Sequence, residues 1–395
     1  MSKLRTRKRV VLIVLDGLGI GALPDAEAWG DLDSNTLGHL AAAVGGLSLP
    51  HLARYGLGRL GPFQGVRSDM HPIASFGRMA EGSSGKDTLV GHWEMMGVLT
   101  KTPFRTYPEG FPPEVLDPFE EKIGRRVLGN RVASGTDIIR ELGRAHMETG
   151  CPILYTSADS VFQLAAHESV IALQTLYAYC RTARDLLTRP PHRIARVIAR
   201  PFVGMPGSFV RTDRRCDFAL PPPAETLLDR LSERGIPVIG IGKIDDIFSG
   251  QGLSETIHTR NNEDGIDRLL HCLDRAEGGL IFINLVDFDM LYGHRNDPVG
   301  YAAALQYFDR RLPEIQVKMA QGDWLMITAD HGNDPLFPGT DHTREYVPLL
   351  AYGVGVKEGK DLGTRKTFAD VGQTLAAFFG LPPLPLGKSF LPEMI

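Results

Sequence analysis

Six short runs rich in valine and isoleucine set the strongest limit on how this 395-residue chain folds. They are Val10–Leu15, Pro152–Tyr155, Ile236–Ile241, Leu280–Val286, Trp324–Thr328 and Val347–Tyr352. Most are bounded by Gly, Asp or Pro, and each has the length of a strand buried on both faces rather than of a helix. Helical patterns lie between them. Ala224–Arg234 follows three prolines and stops at Gly235, and Glu263–Ala276 puts Ile266, Leu269, Leu270 and Leu273 on one face. Pro298–Met319 is amphipathic, with a candidate kink at Pro313, and Phe368–Phe379 stops at Gly380. Strands alternating with helices predict an α/β protein with a mainly parallel sheet flanked by helices on both faces.

The middle of the chain breaks this rhythm. Prolines crowd residues 101–118 and 201–223, and the segment between them is basic from Arg181 to Arg215. We read 101–220 as a smaller α/β domain inserted into a core made of 1–100 and 221–395. A chain of this length buries a sizeable core without disulfides or a structural metal. The net charge of −4 argues against a nucleic-acid partner. Cys151, Cys180, Cys216 and Cys272 contain no CxxC pair, which fits a reducing, cytoplasmic setting. The basic residues Lys3 to Arg9 precede only six apolar residues before Asp16, too few for a signal peptide. No run approaches 18 apolar residues, so no membrane partner is expected.

Acidic and histidine groups gather just past the expected strands. Asp16 ends the first run and precedes Gly17, Gly19 and Gly21, whose spacing is wrong for a dinucleotide fingerprint. Asp289 and His294 follow Leu280–Val286; Asp330 and His331 follow Trp324–Thr328; His342 lies in the loop before Val347. The C-terminal edge of an open α/β sheet is where ligands bind. Three carboxylates and three imidazoles, with no thiolate, suit Mn²⁺ or Zn²⁺ better than Mg²⁺ or Ca²⁺. Each group alone has an ordinary reading as a cap or turn residue; together, at successive strand ends, they point to a pair of ions.

A nucleophile is needed as well. Gly82-Ser83-Ser84-Gly85-Lys86-Asp87-Thr88 lacks the spacing of a phosphate-binding P-loop. It reads better as a glycine-rich approach to a helix starting near Thr88, where free N–H groups suit a phosphate. The ordinary alternative is that Asp87 or Thr88 simply caps that helix.

These residues resemble the alkaline phosphatase superfamily of two-metal phosphoryl-transfer enzymes. The segments Gly85-Lys86-Asp87-Thr88 with Gly91-His92-Trp93-Glu94, Thr156-Ser157-Ala158-Asp159-Ser160, Arg196 to Phe202 and Gly242-Lys243 resemble, more narrowly, the phosphopentomutase family. The resemblance implies an alkaline phosphatase-like core with an inserted cap. It implies an isomerase, an intramolecular phosphotransferase acting on (deoxy)ribose 1- and 5-phosphates and linking nucleoside catabolism to pentose phosphates. It implies two Mn²⁺ ions, one held by Asp16, Asp330 and His331 and the other by Asp289, His294 and His342. Thr88 would bridge them as a phosphothreonine, with a sugar bisphosphate as activator. Ser157, Asp159, Arg196 and Arg211 of the cap and Lys243 of the core would contact the small sugar-phosphate substrate. Competing readings are a cofactor-independent phosphoglycerate mutase, a plain phosphatase, and a metal-dependent scaffold protein without catalysis. Thr88, where the phosphoglycerate enzymes usually carry serine, and an insertion of about 120 residues, smaller than theirs, disfavour the first.

Overall fold

The computed structural model describes residues 8–157 and 159–395. Most of the basic N-terminal run expected from the sequence lies outside the described residues, as does Ala158. The chain forms two compact units. One runs up to Thr102 and resumes at Pro222 to end at Ile395; the other is Pro103–Pro221.

The first unit is built on an eight-stranded sheet. Its strands lie in the order Glu255–Ile257, Val238–Ile241, Gly279–Leu285, Arg9–Leu15, Asp323–Thr328, Val347–Gly353, Ser75–Met79 and Asp361–Arg365. The first five pair in parallel, while Val347–Gly353 runs antiparallel to both its neighbours. Every residue of Arg9–Leu15, Gly279–Leu285 and Asp323–Thr328 is buried, as strands covered on both faces require. The covering helices pack in two groups. Thr36–Ala43, Pro50–Tyr55 and Asn262–Arg275 pack on Pro298–Val317, while Ile244–Phe248 and Ala369–Phe379 pack on Thr88–Met95. Pro298–Val317 runs unbroken through Pro313. Leu227–Glu233 opens with a capping box between Thr226 and Asp229.

The second unit carries its own sheet, in the order Leu128–Val132, Ile153–Thr156, Val161–His167, Arg196–Val203 and Val210–Arg211, with Cys216–Ala219 also pairing with Arg196–Val203. The apolar run beginning at Pro152 therefore belongs to this sheet and not to the larger one. Helices Pro113–Ile123 and Leu173–Leu186 cover one apolar cluster around Phe119, Phe162 and Leu164, and Gly135–Thr149 covers a second around Tyr155 and Phe202. Part of the proline-rich stretch is thus helix, with Pro113 in its first turn and Pro118 inside.

Candidate active site

Asp16 and Asp330 leave the ends of two adjacent parallel strands, which brings residues more than 300 positions apart to one sheet edge. Gly17 follows in the left-handed region, at φ +79°, and its N–H donates to Asp330 Oδ1 at 3.1 Å. His331 Nε2 lies 3.3 Å from Asp16 Oδ1 and 3.2 Å from Asp330 Oδ2. Asp289 comes from the single turn Phe288–Tyr292 just past Gly279–Leu285. Its Oδ2 lies 3.3 Å from His294 Nε2 and its Oδ1 3.3 Å from His342 Nε2. The ligating atoms form overlapping groups, Asp16–Asp330–His331 and Asp289–His331–His342, so His331 stands where the two meet.

Several of these atoms are buried without any hydrogen-bond partner: Asp16 Oδ1, Asp330 Oδ2 and His342 Nε2. Stranded acceptors are costly in a protein interior, and a cation at their focus satisfies them. The remaining atoms are held in place for that task. His294 Nδ1–H donates to Thr340 O at 2.6 Å, and His331 Nδ1–H to Gly332 O at 3.1 Å, so each Nε2 faces a carboxylate of its group. Asn333 Nδ2 donates to Asp289 Oδ1 at 2.6 Å. The donor set fits a divalent metal ion.

The electrostatics agree. Burial, with the neighbouring Asp330 and Asp289 carboxylates, raises the Asp16 carboxyl above its ordinary range, and Lys243 pulls the other way. Burial also disfavours charge on Asp289, but the His294 and His342 imidazoles hold it well below the usual carboxylate range. His331, although buried, is raised well above an ordinary histidine by Asp330 and Asp16. A buried group of mutually dependent charges is a frequent mark of a working site.

Thr88 opens the helix Thr88–Met95, and its Oγ1 is 3.2 Å from His331 Nε2. Asp87 caps the same helix, accepting from the N–H groups of Leu89 and Val90. The capping reading and the nucleophile reading thus fall on adjacent residues. The approach loop is pinned by Arg344, whose Nη1 donates to Gly85 O at 2.6 Å and to Glu81 Oε2 at 2.8 Å. Arg344 and Asn333 lie two residues beyond His342 and His331, with no local pattern that marks a role. Asn284 left a legible trace, a polar residue inside an otherwise apolar strand.

The first unit therefore brings together Asp16, Asp289, His294, Asp330, His331, His342 and Thr88, with Lys243 close enough to act on Asp16. Ser157, Asp159, Arg196 and Arg211 stand on the second unit. There Arg196 Nη2 lies 3.9 Å from Asp159 Oδ2, and Arg211 is exposed on the strand beside Phe202.

Comparison with known proteins gives a consistent picture. A profile of the Metalloenzyme superfamily matches residues 8–383. The phosphopentomutase of Caldanaerobacter subterraneus subsp. tengcongensis is 55% identical over 387 residues, covering 98% of both chains. That of Anaeromyxobacter sp. (strain K) is 58% identical over 388 residues, 98% of this chain and 99% of the other. The PH0037 protein from Pyrococcus horikoshii shares the fold with a TM-score of 0.50 at 14% identity, over 97% of this chain and 100% of that one. The chain belongs to the phosphopentomutase family, within the Metalloenzyme superfamily, and is an isomerase of the phosphotransferase (mutase) kind.

Proposed function

We propose that the chain interconverts ribose or 2-deoxyribose 1-phosphate and the corresponding 5-phosphate through phosphothreonine 88 and a 1,5-bisphosphate. The observation that carries this reading is the Thr88 hydroxyl, 3.2 Å from the imidazole common to both ligand groups, in a chain 55–58% identical to phosphopentomutases. Asp16, Asp330 and His331 would hold one Mn²⁺, Asp289, His294 and His342 a second, and Thr88 would reach both. When bound, such ions neutralise phosphate charge and favour an ionised threonine oxygen.

The chain's own groups supply the rest. Phosphothreonine 88 passes its phosphoryl to the free hydroxyl of a sugar monophosphate. The P–Oγ bond breaks, a P–O bond to the sugar forms, and the hydroxyl proton ends on the Thr88 oxygen. The bisphosphate then returns its other phosphoryl to Thr88 by the reverse exchange. Phosphoryl transfer depends mainly on positioning and charge neutralisation. Arg196 and Arg211 offer guanidinium forks for the phosphate that is not transferred, Ser157 and Asp159 hydrogen-bond the sugar, and Lys243 serves from the core. A mutase must also keep water from the phosphoenzyme, the task of the 101–220 cap. A sugar bisphosphate would prime the enzyme. The reaction would connect nucleoside breakdown with the pentose phosphates of the cytoplasm.

The test is mass spectrometry of the protein after brief exposure to a pentose bisphosphate. One added phosphate is expected on the Thr88 peptide, absent in Thr88→Ala, whose isomerase rate should fall at least ~10³-fold. Steady release of inorganic phosphate from ribose 5-phosphate without isomerisation would overturn the reading.

A further inference from the structure

We propose that His92 and Asn284 are a positioning pair that aligns the carboxylates of the Asp16–Asp330–His331 group and ties them to the Thr88 helix. The pair thereby sets the divalent-ion affinity of that group, and not of Asp289–His294–His342. This rests on the two-ion reading above.

Both side chains are buried, His92 completely. Asn284 stands on the strand beside Val14, two residues before Asp16. Its Nδ2 donates to Asp16 Oδ2 at 2.9 Å and lies 3.3 Å from His92 Nε2. His92 sits one helical turn after Thr88. Its Nδ1 is 2.9 Å from Thr88 O and 3.2 Å from Asp330 Oδ2. The chain of contacts runs from one carboxylate, through an amide and an imidazole, to the nucleophile's own turn and the second carboxylate.

The partners fix the role of each atom. Turning the amide over would aim Asn284 Oδ1 at the Asp16 carboxylate and the His92 nitrogen, so Nδ2 must face them. His92 Nδ1 faces a carbonyl and a carboxylate, so it carries the proton, and Nε2 accepts. The amide N–H thus goes to Asp16 and the imidazole N–H to the Thr88 carbonyl, with Asp330 Oδ2 close beside the same nitrogen. Close contact makes this possible: a Cβ at Gly91 would fall 2.1 Å from Asp330 O, so only glycine lets the helix lie against that strand end.

A purely structural role explains these residues poorly. The Thr88 carbonyl already has its place in the helix ladder and needs no side-chain donor. Asn284 Oδ1 is buried with no partner, an energetic cost that an apolar residue in this otherwise apolar strand would avoid. The other ligand group has supports of its own, Asn333 on Asp289 and Thr340 O on His294. The two groups should therefore respond separately.

The test is a Mn²⁺ titration of the metal-free, full-length protein, read by electron paramagnetic resonance and elemental analysis. It compares wild type with His92→Phe, Asn284→Leu and His92→Asn. Second-sphere changes of this kind typically cost ~10–100-fold in metal affinity. His92→Phe and Asn284→Leu should each weaken one of the two ions by at least about tenfold and leave the other unchanged. Melting of the metal-free protein should move by no more than about 2 °C. His92→Asn keeps a donor near the Nδ1 position and should recover most of the affinity. Wild-type affinity for both ions in the first two variants would overturn the proposal. So would equal loss of both ions together with lowered metal-free melting, which marks a general folding role. Wild-type protein that binds no divalent ion would remove the two-ion reading and this one together; wild type with two ions and unaffected variants would remove only this one.

Discussion

The Thr88 hydroxyl oxygen lies 3.2 Å from Nε2 of His331, a nitrogen that is also within 3.3 Å of two carboxylate oxygens. A weak nucleophile, an imidazole and two acids thus share one small buried volume. Without a cation this crowding is unfavourable, and that imbalance yields the first expectation.

Divalent ions should stabilise the protein strongly. Saturation of one site at about 100 times its dissociation constant adds ~2.7 kcal/mol. Burial beside Asp330 and Asp289 raises the Asp16 carboxyl, so the metal-free fold resists ionising it. Chelation should lower the denaturation midpoint, and Mn²⁺ should restore it. Elemental analysis should find close to two ions per chain; a value near zero with an unchanged midpoint would contradict this.

Gly91→Ala should be far more harmful than an ordinary helix substitution. Alanine normally favours a helix by ~1 kcal/mol over glycine. Here the new methyl meets the Asp330 carbonyl at 2.1 Å, so helix and strand end must separate. Overpacking of this kind costs ~1–3 kcal/mol. Activity should fall at least tenfold because Thr88 and Asp330 move apart. Urea denaturation and steady-state kinetics together check both effects.

Arg344→Ala should destabilise the first unit by ~3–5 kcal/mol, the range for breaking a buried ion pair. Burial raises the Glu81 carboxyl well above its usual range, and Arg344 opposes this. Removing the guanidinium also frees Gly85 O, in the loop leading to Thr88. The double variant Arg344→Met, Glu81→Gln should lose less than Arg344→Ala. Chemical denaturation of the three proteins decides it.

The second unit should weaken in mild acid through His146. Its Nδ1–H donates to Cys151 O at 2.7 Å, and its Nε2 accepts from the His167 N–H at 2.8 Å. Burial lowers its pKa below the ordinary 6.5. The unfolded chain therefore binds a proton below that pH while the folded unit does not. The stabilisation is complete above pH 6.5 and is lost as pH falls below it, by at most ~1.4 kcal/mol per unit. Hydrogen exchange in helix Gly135–Thr149 should accelerate between pH 7 and 5, and His146→Gln should flatten that response.

The strand ends were legible because burial is written locally. A run such as Leu280–Val286 can only be interior, and a carboxylate just beyond it stands at the edge of a sheet. The stop signals at Gly235 and Gly380, and the capped helix at Thr88, follow from short-range stereochemistry in the same way. Strand order was not legible. Arg9–Leu15 pairs with Gly279–Leu285 and Asp323–Thr328, and nothing near residue 12 specifies either partner. The run at Pro152 had the same composition as its counterparts and joined the other sheet.

The site divides along the same line. The order of residues supplied the inventory: three carboxylates, three imidazoles and a threonine, at positions where chemistry is possible. It took the folded arrangement to put His331 between the two groups, to pin the approach to Thr88 with Arg344, and to let His92 and Asn284 span from Asp16 to Asp330. Residue type and local periodicity travel with the chain. Which atoms come within 3 Å depends on the pairing of strands hundreds of residues apart, and no local pattern encodes that distance.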